Sequence, residues 1–166
     1  MRRVVILGRG GAGKSVLAGQ LSELTGIPAI ELDSVFWQQG SAPTPAEEWV
    51  ARQRGLIAGE AWILDGDLGP YDSGLSARLA AADTIIVLDF GFVRCAWRTL
   101  RRGREQAEYW RWVWSYRRRS LPRLRVAIVA HLPRAQVHVL RDPGMVRRFL
   151  ADVGNGDLAG QGDRRG

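Results

Sequence analysis

Residues Ile6 to Gly19 read ILGRGGAGKSVLAG. Within them, Gly8-Arg9-Gly10-Gly11-Ala12-Gly13-Lys14-Ser15 fits the spacing G-x-x-x-x-G-K-[ST]. Its flanks carry as much information as the match. Val4-Val5-Ile6-Leu7 is a short apolar run of the kind buried in a parallel strand, and from Ser15 to Leu24 apolar residues recur at helical spacing. A glycine-rich turn from strand to helix lets successive backbone N–H groups point inward around phosphate oxygens, and the helix N-terminus adds its positive end. Gly8, Gly10, Gly11, Ala12, Gly13 and Val16 are therefore expected to line a bound nucleotide. Lys14 is expected to bridge the β- and γ-phosphates of ATP, and the Ser15 hydroxyl to complete the coordination of Mg²⁺.

Charge sharpens this reading. Of 24 basic residues Lys14 is the single lysine, so a chain that uses arginine everywhere else keeps a compact ammonium here. The two side chains are not interchangeable around phosphate. The net charge of +7 is uneven. From Arg98 to Arg148 fourteen arginines face Glu105, Glu108 and Asp142, a balance of +11 that leaves −4 for the remainder. Such a band is either a solvated face or an anion-binding surface, which keeps nucleic acid among the partners as the less favoured reading.

With 166 residues, 46% of them hydrophobic, the chain can bury one core. One domain over 1–153 is expected, followed by a disordered tail over 154–166 that has nothing to bury. No apolar run reaches the ~20 residues of a membrane span and no signal-peptide core precedes the glycine loop, so a cytoplasmic protein is expected. Cys95 has no cysteine partner and reads as packing on a helix. Nothing in the pattern sets an oligomeric state.

Beyond the glycine loop, Ile27 to Leu32, Trp62 to Leu64, Thr84 to Leu88 and Gln136 to Leu140 read as further strands. Pro45 to Gly59 reads as a helix between the second and third, and Pro143 opens a last helix through about Asp152. Val126 to Ala130 suits strand or helix, with its flanks favouring helix. Strands alternating with helices make an α/β protein with a parallel sheet and right-handed crossovers. Ligands in such sheets lie beyond the carboxyl ends of the strands. Asp33 follows the second strand, where an acceptor hydroxyl could be held and deprotonated. Asp65 follows the third and is placed to organise a metal ion with Ser15; Gly66 and Asp67 come next on the acceptor side. For each aspartate the alternative is a turn or helix cap. Trp37 is a candidate stacking surface for a flat acceptor, with plain packing the favoured alternative, and Trp97, Trp110 and Trp114, at helical spacing, read as core.

The Gly8–Ser15 loop, Glu31-Leu32-Asp33 with Phe36-Trp37, Trp62-Ile63-Leu64-Asp65-Gly66, Trp97-Arg98, Trp110-Arg111-Trp112-Val113-Trp114 and Val139-Leu140-Arg141 together resemble the adenylate-kinase-like P-loop proteins of the DNA topology modulation family. The resemblance spans about Arg2 to Val153. It implies a three-layer P-loop NTPase fold with a five-stranded parallel sheet in the order 2-3-1-4-5, ATP as phosphoryl donor with Mg²⁺, and a short arginine-rich helical lid. It also places Arg141 near the adenine. Two departures stand out. Adenylate kinases follow the Asp-Gly with Phe-Pro-Arg, whose arginine grips the acceptor's phosphate, and here that place is Gly69. Topology modulation proteins carry Asn-Tyr after the Asp-Gly, where this chain has Asp67-Leu68. A carboxylate there disfavours a phosphorylated acceptor such as AMP and favours a hydroxyl or amine compound.

In the lid, Arg98 and Arg102 lie one helical turn apart and are the first candidates to neutralise the transferring phosphoryl group. The reading favoured by these features is a small-molecule kinase. The alternatives are an ATP-sensing regulator without turnover and a nucleic-acid-binding protein that uses the arginine band.

Overall fold

Val4, Val5, Ile6 and Leu7 are all fully buried, so the run that reads as continuously apolar is covered on both faces. It forms β1 (Arg3–Gly8), the middle strand of a five-stranded sheet. The structure is a computed structural model that describes residues 1–37, 43–66, 68, 72–102, 121, 122, 124–130 and 134–156; Arg98, Arg101 and Arg102 are described in backbone only. After β1 come α1 (Lys14–Thr25), β2 (Ala29–Glu31), α2 (Leu32–Phe36), α3 (Ala46–Ile57), β3 (Trp62–Asp65), α4 (Leu75–Ala81), β4 (Thr84–Leu88) and α5 (Phe92–Arg102). A helix over 124–129, here α6, precedes β5 (Gln136–Leu140) and α7 (Pro143–Gly154).

All strand pairs are parallel, in the order β2-β3-β1-β4-β5. Alternation along β1 divides the core into two layers of side chains, as the period-two pleat requires. Val5 and Leu7 pack with Leu32, Phe36, Trp49, Leu79 and Leu124 on the face covered by α2, α3, α4 and α6. Val4 and Ile6 pack with Leu17, Leu21, Cys95 and Phe149 on the face covered by α1, α5 and α7. The far end of the sheet is closed by Asp83, whose carboxylate accepts from the backbone N–H groups of Arg2 and Arg3 at 2.7 and 2.9 Å.

Two expectations change. The second strand is shorter than Ile27–Leu32, because Leu32 starts α2 and is fully buried, with its Cβ against Gly66. The stretch at 126–130 takes the helical alternative that its flanks favoured, through residue 129, with Leu124 and Ile128 buried and Val126 and Val129 outward. Trp97 is not core but 55% exposed, since Cys95 and Thr99 are the positions α5 turns inward. Trp110 and Trp114 lie outside the described residues. The last helix begins as expected at Pro143, where the Asp142 side chain caps it by accepting from Met145 N–H at 2.9 Å. It runs to Gly154, two residues past the expected end at Asp152, and residues 157–166 of the expected tail lie outside the described residues.

Candidate active site

The parallel register decides what meets what. Asp65 is the partner of both Ile6 on β1 and Glu31 on β2, so the last residues of β3 and β2 stand side by side next to the start of the Gly8–Ser15 loop. The loop itself is shaped by backbone that only glycine adopts without strain. Gly11 has φ 75° and Gly13 φ 96°. A Cβ on Gly11 would lie 2.5 Å from both the Cys95 carbonyl oxygen and Thr99 Oγ1, so the loop packs directly beneath α5. Ala12 N–H donates to the Arg9 carbonyl at 3.1 Å, closing the turn, and Leu17 N–H donates to the Gly13 carbonyl at the start of α1. Lys14 and Ser15 therefore open the helix, as the motif requires, with Val16 exposed beside them.

Around this helix start the carboxylates gather. Ser15 Oγ donates to Glu31 Oε1 at 3.4 Å, and the same hydroxyl acts on the Asp65 carboxyl. Asp65 is 2% exposed, and its Oδ1 has no hydrogen-bond partner among the described residues. Burial pushes its pKa up; the Lys14 ammonium and the Ser15 hydroxyl oppose this, while Glu31 and Asp33 add to it. Asp33, in the first turn of α2, is reached by solvent, yet the protein around it raises its pKa as well. Lys14 and a hydrogen bond from the Trp37 side chain pull the other way, and Glu31 and Asp72 push it further up. An unpaired buried carboxylate oxygen beside a serine hydroxyl at a helix N-terminus suits a hard cation such as Mg²⁺. Among the described residues no three His, Cys, Asp or Glu side chains form a metal-binding group by themselves, so phosphate oxygens and water would have to complete the coordination.

The remaining candidates sort by position. Trp37 is 41% exposed at the end of α2, edge-on to Phe36 with ring centroids 4.9 Å apart. Gly66 follows β3 with φ 141°, its N–H donating to the Ile6 carbonyl. Asp67 lies outside the described residues. Arg141 is exposed at the carboxyl end of β5, the same end of the sheet as the loop. Arg98 precedes Thr99 on the helix that covers the loop, and Arg102 ends that helix. Sequence reasoning did not single out Glu31, whose role follows from register. It also missed a buried cluster of Gln53, Asp72 and Arg78, which no local spacing announces.

Solved structures share this architecture. Shikimate kinase from Acinetobacter baumannii matches with a TM-score of 0.64 at 16% identity over 97% of this chain and 95% of that one. A gluconokinase from Sinorhizobium meliloti matches at 0.54 and 15% over 96% and 97%. Deoxyadenosine kinase from M. mycoides, solved with bound dATP, matches at 0.57 and 14% over 92% and 99%. The fold is that of the P-loop kinases. No family model and no curated sequence matches the chain. Among the described residues no helix is long and apolar enough to cross a membrane.

Proposed function

We propose that this chain is an ATP-dependent phosphotransferase acting on a small molecule through a hydroxyl or amine group. One observation carries the reading: the sheet register brings Asp65 and Glu31 against Ser15 at the start of the helix that follows the glycine loop, with Asp33 within reach of the same Lys14 charge. The shikimate, gluconate and deoxyadenosine kinases that share the fold support it at the level of reaction class. The resemblance to DNA topology modulation proteins rests on motifs that this reading absorbs as kinase parts.

Phosphoryl transfer asks a protein mainly for positioning and for charge on the equatorial oxygens. The loop amides and Lys14 would hold the β- and γ-phosphates, while Ser15 and Asp65 would hold Mg²⁺, which when bound neutralises charge on the transferring group. Asp33, with its pKa raised and its carboxylate oriented by Trp37, would accept the proton of the acceptor hydroxyl. Arg98 and Arg102 would reach the phosphates from α5, and Arg141 would border the adenine. Transfer of label from γ-³²P-ATP into a panel of nucleosides, sugars and polyols, with Lys14→Ala and Asp33→Asn as controls, tests the proposal. Tight Mg·ATP binding without product from any acceptor would instead favour a nucleotide sensor.

A further inference from the structure

Arg78 on α4 is completely buried, although guanidinium groups are rarely found without water. Its Nη1 and Nη2 donate in parallel to Oδ1 and Oδ2 of Asp72 at 2.7 and 2.6 Å, and Nη1 also donates to Gln53 Oε1. The Asp72 side chain is 2% exposed. Asp72 lies between the carboxyl end of β3 and α4, and Gln53 sits one turn beyond Trp49 on α3. Trp49 packs edge-on against Phe36 at 5.1 Å, and Phe36 in turn against Trp37. The cluster thus backs the acceptor side, close enough that the Asp72 charge acts on Asp33. Arg78 Nε and Gln53 Nε2 are buried without an acceptor among the described residues, so the cluster is rich in donors and Asp72 is its single anion.

A planar guanidinium offering two parallel N–H groups is the usual receptor for a carboxylate or phosphate. Here it is filled from within. We infer that Asp72 is an internal anion that occupies Arg78 in place of a charged acceptor group, and that the acceptor is a hydroxyl or amine compound without a carboxylate or phosphate of its own. The inference rests on the kinase reading. It extends the charge argument from Asp67 and Gly69 to a pair the fold itself assembles, and it makes Asp72 a specificity-determining residue that acts through Arg78.

The test uses the full chain loaded with Mg²⁺ and β,γ-imido-ATP. A nucleotide-dependent rise in Tm shows that the donor side is filled, and its absence would count against the kinase reading rather than against this one. The loaded protein is then titrated with inorganic phosphate and with acetate. Wild type is expected to show no saturable change up to about 10 mM, whereas Asp72→Asn gains a saturable rise in Tm of several degrees. The Asp72→Asn/Arg78→Gln double variant, which leaves only amides in the cluster, loses that response. If Asp72→Asn does not fold unaided, the same titration reads refolding, and restoration by phosphate or acetate supports the assignment. An Asp72→Asn protein indifferent to both anions, folded or not, overturns it. So does saturable anion binding by wild type that Arg78→Gln removes, or label transfer to a phosphorylated or carboxylated acceptor in preference to its neutral parent.

Discussion

On the proposed kinase reading, Asp65 sets function against stability at a single residue. Its carboxyl is held with a raised pKa mainly because burial disfavours the charged form. A carboxyl raised on folding contributes its full stability below its ordinary pKa and loses it as pH climbs through the raised value. Above the ordinary carboxylate range the free protein therefore holds this group at a cost in stability. Asp65→Asn is expected to raise the stability of the nucleotide-free protein at pH 7 by about 1 kcal/mol, or roughly 2–4 °C in Tm. The gain disappears as pH falls toward the ordinary carboxylate range. Melting curves at pH 4 and pH 7 in EDTA check both points, and an equal gain at the two pH values would contradict the assignment. The same variant should bind Mg·ATP more weakly. Lys14 is the complementary case. Lys14→Ala should lower kcat by roughly 10²–10³-fold, the usual effect of removing one preorganised group from a transition state. Lys14→Arg should fail to restore it, since a planar fork cannot take the place of a point charge on the two phosphates.

Elements explain why some of this was legible and some was not. The glycine loop is a local device, and its strand and helix flanks are local too, so eight residues at fixed spacing announced the fold. Gly11 shows the close fit. An alanine there would need φ 75° and would bring its Cβ within 2.5 Å of the Cys95 carbonyl and Thr99 Oγ1. Gly11→Ala is therefore expected to destabilise the protein by roughly 2–4 kcal/mol through strain and overpacking against α5. Urea denaturation reads this, and a loss under 0.5 kcal/mol, within the usual scatter of a surface change, would mean that the loop does not lie under the helix. The apolar runs of β3 and β4 were equally visible because central parallel strands need apolar residues on both faces. The five residues of α2 are too few to show a period, and Leu32 therefore read as the end of a strand. Trp97 misled because helical spacing tells which residues share a face and not which face is covered. Glu31 and the Arg78 cluster were out of reach for a different reason. Gln53 and Arg78 are 25 residues apart, and only the packing of α3 on α4 joins them.

For the whole molecule, every strand points its carboxyl end at one edge, and the loop, Ser15, Glu31, Asp65 and the start of α2 collect there. The opposite edge is closed by backbone bonds to Asp83. On the proposed reading stability and function are thus separated along the strands, and a cation at the loop end would relieve the repulsion among Glu31, Asp33 and Asp65. A ligand that binds only the folded state at about 100 times its Kd adds about 2.7 kcal/mol. In a domain of this size that amounts to a rise of roughly 5–10 °C in Tm on adding Mg·ATP. The rise should depend on pH in the direction set by Asp65. If Asp65 holds the cation as proposed, it does so as the ionised carboxylate, so acidification through its raised pKa is expected to weaken nucleotide binding. Differential scanning fluorimetry from pH 8 down to pH 5, with and without Mg·ATP, measures the gap directly. The gap is expected to narrow toward pH 5 in wild type, to be absent at all pH values in Lys14→Ala, and to be small and flat in Asp65→Asn. A gap that stays constant with pH in wild type would show that Asp65 takes no part in holding the ligand.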